Sequence, residues 1–86
     1  MKEFKWNLVK SERLKRTRGM SFEDLTKEEL VRVKGHPGNK DQHLLLFRAK
    51  GYIWVVPCVI ADDEIFLKTL YPSRKYTRML KRGDLP

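Results

Sequence analysis

The strongest constraint on this chain is a change of hydrophobic period near residue 30. Before it, apolar residues fall at helical spacing. After it they alternate, in runs separated by very short polar breaks. Leu30-Val31-Arg32-Val33-Lys34 alternates apolar and basic, the pattern of a half-buried strand. Residues 35–41 read as a loop by composition. Three further strands are expected over 42–49, 52–60 and 64–71, with Lys50-Gly51 and Asp62-Asp63 between them. Connections this short make neighbours antiparallel, in a meander. Tyr52-Ile53-Trp54-Val55-Val56 is apolar on both faces and belongs at the centre of a sheet or in a covered strand. Pro57 cannot donate to a ladder, so it marks a bulge or the strand's exit.

Helices flank this region. Phe4-Lys5-Trp6 reads as a short strand or extended lead-in. Asn7 suits the N-cap of a helix over 8–18, and Gly19 stops it. Its apolar stripe is narrow (Leu8, Val9, Leu14), and much of the rest is basic. Ser21 with Asp24 at N3 approximates a capping box, so a second, short helix should end near Glu28. Pro72-Ser73 ends the last strand, and Ser73 can cap a helix over 74–81. On that helix Tyr76, Met79 and Leu80 form one face, with Arg74, Arg78 and Arg82 on another. From Gly83 onward a tail is expected. The expected fold is therefore α+β: two N-terminal helices, a four-stranded antiparallel meander and a C-terminal helix, in one domain over 1–86.

Composition then narrows the function. The chain carries 19 Lys+Arg against 11 Asp+Glu, a net charge of +8 over 86 residues. Such a balance suits a polyanionic partner, because each neutralised phosphate releases condensed counterions. The longest apolar run, 53–61, contains Pro57 and is too short to span a bilayer, so no membrane partner is expected. No apolar signal region follows the N-terminus. The single Cys58 has no partner for an internal disulfide and lies in the most apolar segment, as a small core residue would. These features fit a cytoplasmic protein.

One Cys and two His without ligand spacing give no metal site, and the five glycines form no phosphate loop. What remains is a cationic and aromatic set. Strict alternation puts Glu64, Phe66, Lys68 and Leu70 on one face of the last strand, and Ile65, Leu67, Thr69 and Tyr71 on the other. Lys68 is then either a snorkelling edge residue or a cation aimed at a phosphate-binding cleft. Arg74 follows at a helix N-terminus, where backbone N–H groups favour an anion. Arg16 and Arg18 either complement a helix C-terminus or join Lys68, Arg74 and Arg78 in one basic groove. His36 is a surface or capping residue, or a proton-transfer group. Tyr52, Trp54, Tyr71 and Tyr76 could stack on bases or pack internally, and Trp54 reads as core.

Several segments, in order, resemble the BrnT family of toxins, within the wider group of ribonuclease toxins with a RelE-like fold. They are Phe4-Lys5-Trp6-Asn7, Arg18-Gly19-Met20-Ser21-Phe22-Glu23-Asp24, His36-Pro37, and the run Phe66-Leu67-Lys68-Thr69-Leu70-Tyr71-Pro72-Ser73-Arg74-Lys75. The resemblance implies RNA cleavage without a metal or cofactor, by attack of the ribose 2′-OH on the adjacent phosphate, which would inhibit translation. It matches Lys68 and Arg74 to the family's cationic pair, as catalytic residues. Arg16, Arg18, His36, Lys75, Tyr76 and Arg78 would contact the RNA. Arg18 falls where relatives often have His before the Gly, and Arg74 stands in Pro-Ser-Arg-Lys rather than Ser-Ala-Arg. Lys68 could itself serve as the base if buried among Phe66 and Leu70. The implied partners are mRNA and a cognate antitoxin that also acts as a DNA-binding repressor. The alternative from the same residues is a non-catalytic RNA- or DNA-binding module with a basic groove.

Overall fold

A computed structural model describes residues 3–85, apart from the side chain of Asn39. Strand β1 (Glu3–Lys5) leads into helices α1 (Leu8–Arg18) and α2 (Phe22–Thr26). Strands β2 (Glu29–His36), β3 (Asn39–Ala49), β4 (Tyr52–Ala61) and β5 (Glu64–Leu67) follow. A short β6 (Tyr71–Ser73) runs directly into α3 (Arg74–Lys81). The sheet order is β1-β5-β4-β3-β2, and β6 pairs with β4.

The expected layout of two helices, four antiparallel strands and a helix is therefore corrected. The sheet has six strands and is mixed, because β1 pairs parallel with β5 through Glu3↔Glu64, Phe4↔Ile65 and Lys5↔Phe66. Residues 35–41 are not a loop. The β2–β3 hairpin pairs as far as His36↔Asn39, leaving only Pro37 and Gly38 to turn. His36 Nδ1 accepts the Gly38 N–H at 3.1 Å, which closes that turn. The polar residues misread as loop are the exposed end of a hairpin.

The termini of the helices follow their sequence signals. Asn7 Oδ1 accepts the Lys10 N–H at 2.9 Å, and Gly19 ends α1 at φ 76°. Ser21 and Asp24 form a capping box on α2. The Lys15 ammonium, 2.6 Å from Asp24, and the Ser21 hydroxyl lower the Asp24 carboxyl from 3.8 to about 2. Gly83 closes α3 at φ 80°, with Gly83 N–H donating to Leu80 O and Asp84 N–H to Met79 O. This closure turns the chain inward. Leu85 is only 6% exposed, so the expected tail is packed as far as the described residues reach; Pro86 lies outside them.

Two layers of helix sandwich the sheet. On one face α1, α2 and the connection between them contribute Leu14, Met20, Phe22 and Leu25 against Leu45, Phe47, Trp54, Val56 and Leu67. On the other, Tyr76, Met79 and Leu80 of α3 pack with Leu85 against Leu44, Leu46, Ile53 and Val55. β3 and β4 are thus buried on both sides, which explains their unbroken apolar runs. Trp54 is core and donates its indole N–H to Ala49 O at 3.2 Å. Cys58 is a fully buried free thiol, and burial pushes its pKa up. No helix among the described residues is long and apolar enough to cross a membrane.

The last predicted strand breaks in two, and Pro57 is the cause. Lys68 N–H donates to Pro57 O at 2.9 Å, but proline has no N–H to return the bond. The pairing Cys58↔Leu67 then gives way to Val55↔Tyr71. Three residues, 68–70, thus stand opposite two on β4, which is a β-bulge. The extra residue reverses the facing of the residues beyond it. Leu70, expected beside Phe66 and Lys68, instead joins Leu67 in the α1-side core at 0% exposure. The missing N–H lies on the β5 side, so β3–β4 pairing runs unbroken from Gln42↔Val59 to Ala49↔Tyr52.

One side chain docks α3 onto this edge. The Thr77 hydroxyl accepts the Ile53 N–H at 2.9 Å and donates to Ser73 O at 2.6 Å, at 4% exposure. Thr77→Val keeps the shape but leaves the buried Ile53 N–H without its acceptor, so urea unfolding should show a loss of about 1–3 kcal/mol. A second expectation concerns acid. The depressed Asp24 carboxyl stabilises the fold above its ordinary pKa, and that contribution disappears as pH falls through about 2. The stability gap between the native chain and Asp24→Asn should therefore close on titration from about pH 4 towards about pH 2. The pair is solvated, so its charge contribution should stay below about 1 kcal/mol.

Candidate nucleic-acid interface

The bulge turns Lys68 out of the ladder and into an open cleft of about 420 Å³. Asn7 and Lys10 of the α1 N-terminus, Gln42, Phe66 and Thr69 line it with Lys68, over a floor including Pro57. The parallel β1–β5 pairing produces this meeting. Lys5 lies beside Phe66, so the chain reaches Asn7 just as the other strand reaches Lys68. Lys68 is exposed. The burial on which a proton-accepting lysine would depend is missing, and Leu70 has left for the other face. Lys68 is thus a solvent-facing cation at the cleft.

The charges at the helix starts point the same way. A helix N-terminus is its positive end, and acidic residues normally sit there. α2 obeys, with Glu23 and Asp24 in its first turn. α1 and α3 have no acidic residue in theirs. α1 places Lys10 there, and α3 opens with Arg74 and Lys75. Each misplaced cation costs about 0.3–1 kcal/mol of helix stability, which an anionic ligand would offset.

The remaining candidates separate. Arg74 is exposed at the start of α3 and is not among the residues lining the Lys68 cleft. Lys68 stands opposite Pro57 and Ser73 opposite Ile53, so the two cations are spread over about 13 Å of β4 edge. Lys75 lies 5.6 Å from the centroid of the Tyr76 ring, and Lys34 lies 5.0 Å from it. Tyr76 is half-buried against the α3-side core. Arg78 is exposed on α3. Arg16 lines a different cleft, between α1 and α2, with Trp6, Leu8, Glu12, Glu23 and Asp24. α1 and α3 cover opposite faces of the sheet, so the single groove expected from Arg16 to Arg78 is interrupted. Arg18 has a structural task. Its guanidinium donates to Leu70 O, satisfying a carbonyl that the bulge removes from the ladder. His36 is occupied with its turn.

Lys10, Gln42, Phe66 and Lys34 were not singled out from sequence. Lys34 had a signal: with Arg32 it alternates against Val31 and Val33, and both stand opposite inward residues of the α3 face, Leu44 and Leu46. Lys10 had one too, as a cation where the helix dipole disfavours it. Gln42 gave none, and Phe66 was read only as apolar cover for Lys68, since the exposure of both depends on how far α3 covers the sheet. Among the described residues no cluster of three or more His, Cys, Asp or Glu is placed to hold a metal. No family model matches the chain, and neither a curated protein nor a solved structure matches it.

Lys10→Glu should separate stability from binding. The acidic side chain suits the α1 dipole, so thermal melting should rise by the equivalent of about 0.3–1 kcal/mol. RNA affinity measured on the same sample should fall. A variant that is both less stable and fully competent in binding would remove Lys10 from the interface.

Proposed function

We propose that this chain acts on RNA as the ribonuclease toxin of a toxin–antitoxin pair. The observation that carries the proposal is Lys68, exposed on a bulge in an open cleft beside Lys10 and the N-terminus of α1. The ordered segments that resemble the BrnT family suggest the activity. The ribose 2′-oxygen would form a bond to phosphorus while the bond from phosphorus to the 5′-oxygen breaks. A base removes the 2′-OH proton and an acid protonates the departing 5′-oxygen. Lys68 and Lys10 are suited to stabilise the charge on the phosphoryl oxygens, which is the larger part of what such chemistry asks of a protein. Arg74 and Lys75 extend the cationic surface along the β4 edge, where the backbone of a longer strand would run.

Such an enzyme works in the cytoplasm, on mRNA, and there Cys58 stays reduced. Its producer needs a cognate antitoxin to cover the cleft, with acidic side chains for Lys10 and Lys68 and with operator DNA binding of its own. A non-catalytic RNA-binding module is the second reading. It is favoured by the exposure of Lys68 and by a cleft lining that includes no histidine or carboxylate among the described residues.

The two readings divide on one experiment. The purified chain is incubated with end-labelled RNA in excess EDTA, beside Lys68→Ala and Arg74→Ala. The toxin reading expects cleavage that Lys68→Ala lowers by at least about 100-fold, with a smaller loss for Arg74→Ala. Salt-sensitive binding without cleavage, by the chain alone and with translating ribosomes, would leave the binding module. Wild-type cleavage by Lys68→Ala would remove Lys68 from the site.

A further inference from the structure

We propose that Phe66 is a stacking platform for one unpaired nucleobase, so that the cleft takes single-stranded RNA one splayed nucleotide at a time. This rests on the reading of the cleft as an RNA site and names its substrate form. Phe66 is 43% exposed although it lies on β5, an interior strand flanked by β1 and β4. On an inner strand, an aromatic ring that open is left partly uncovered by the described residues. Its surroundings choose the occupant. Lys10 and Lys68 stand at the same cleft, with Gln42 and Thr69.

The other clefts make the contrast. The α1–α2 cleft carries Glu12, Glu23 and Asp24 along with its cations, and the third, near Met20, carries Asp24 and Glu28. The Phe66 cleft is lined by two lysines and no carboxylate among the described residues. An aromatic surface with unopposed cations matches a nucleotide, whose flat base is uncharged and whose phosphate is anionic. The Gln42 amide can both donate and accept, so it can read a base edge. A duplex keeps its bases stacked on each other and cannot offer the face of one to a ring in this cleft.

The test uses strands that the protein cannot cleave. Fluorescence anisotropy would compare a 2′-O-methyl RNA octamer, its duplex and an abasic strand of equal length, against the full chain and Phe66→Leu. The proposal expects the single strand to bind at least about 10-fold tighter than either of the others. Phe66→Leu should lose about 10-fold on the single strand, leave abasic binding unchanged and melt like the native chain. Phe66→Tyr should restore the difference. Equal single-strand affinity for the native chain and Phe66→Leu, with Lys68→Ala still weakened, would overturn the platform and leave the RNA site standing. No binding of any strand by the native chain at physiological salt would overturn both.

Discussion

The fold turns on a hydrogen bond that is made in one direction only. Lys68 N–H donates to Pro57 O, and no N–H comes back. A strand that could have continued along β4 therefore gains a residue, and everything after it changes face. Leu70 becomes core, Lys68 is left on the outside, and the freed carbonyl of Leu70 is taken by Arg18. The same proline leaves the other edge of β4 intact, since its missing donor lies on the β5 side alone. A local defect in the ladder thus builds the cleft without loosening the centre of the sheet.

Two of the three helices give up local stability at their starts. Cations stand at the positive ends of α1 and α3, while α2, away from the cleft, is capped and charged in the favourable sense. Lys34 and Lys75 both lie against the Tyr76 ring, gathering two like charges on one aromatic. Each feature is weak alone, but all three gather positive charge. A bound anion at the helix N-termini would offset the cost of those cations, whereas solubility alone would be served by charges distributed to suit the helices.

Much of the local structure was legible in the residues. The Asn7 and Ser21 caps, the Gly19 stop, the Lys50-Gly51 turn and the central place of β4 all follow from short-range chemistry. What escaped depended on partners distant in sequence. Glu3–Lys5 carries no sign that it pairs parallel with β5, because three residues hold too little pattern to choose a neighbour. Pro57 announced a bulge or an exit, but not that its effect would fall on residues 68–70 of another strand. Strict alternation then assigned Leu70 to the wrong face, and with it the burial that Lys68 would have needed. Arg18 looked like an RNA contact because a guanidinium's backbone acceptor 52 positions away is invisible along the chain.

Nuclear magnetic resonance offers the most direct check on the Lys68 cleft as the RNA site. The uniformly labelled chain would be titrated with an uncleavable single-stranded 2′-O-methyl RNA, and backbone amide shifts followed residue by residue. Binding at the cleft predicts saturable shifts at residues 7–10 and 66–70, with those near Arg16 and Ser21 in the α1–α2 cleft unmoved. Shifts confined to the α1–α2 cleft, or none at physiological salt, would contradict it.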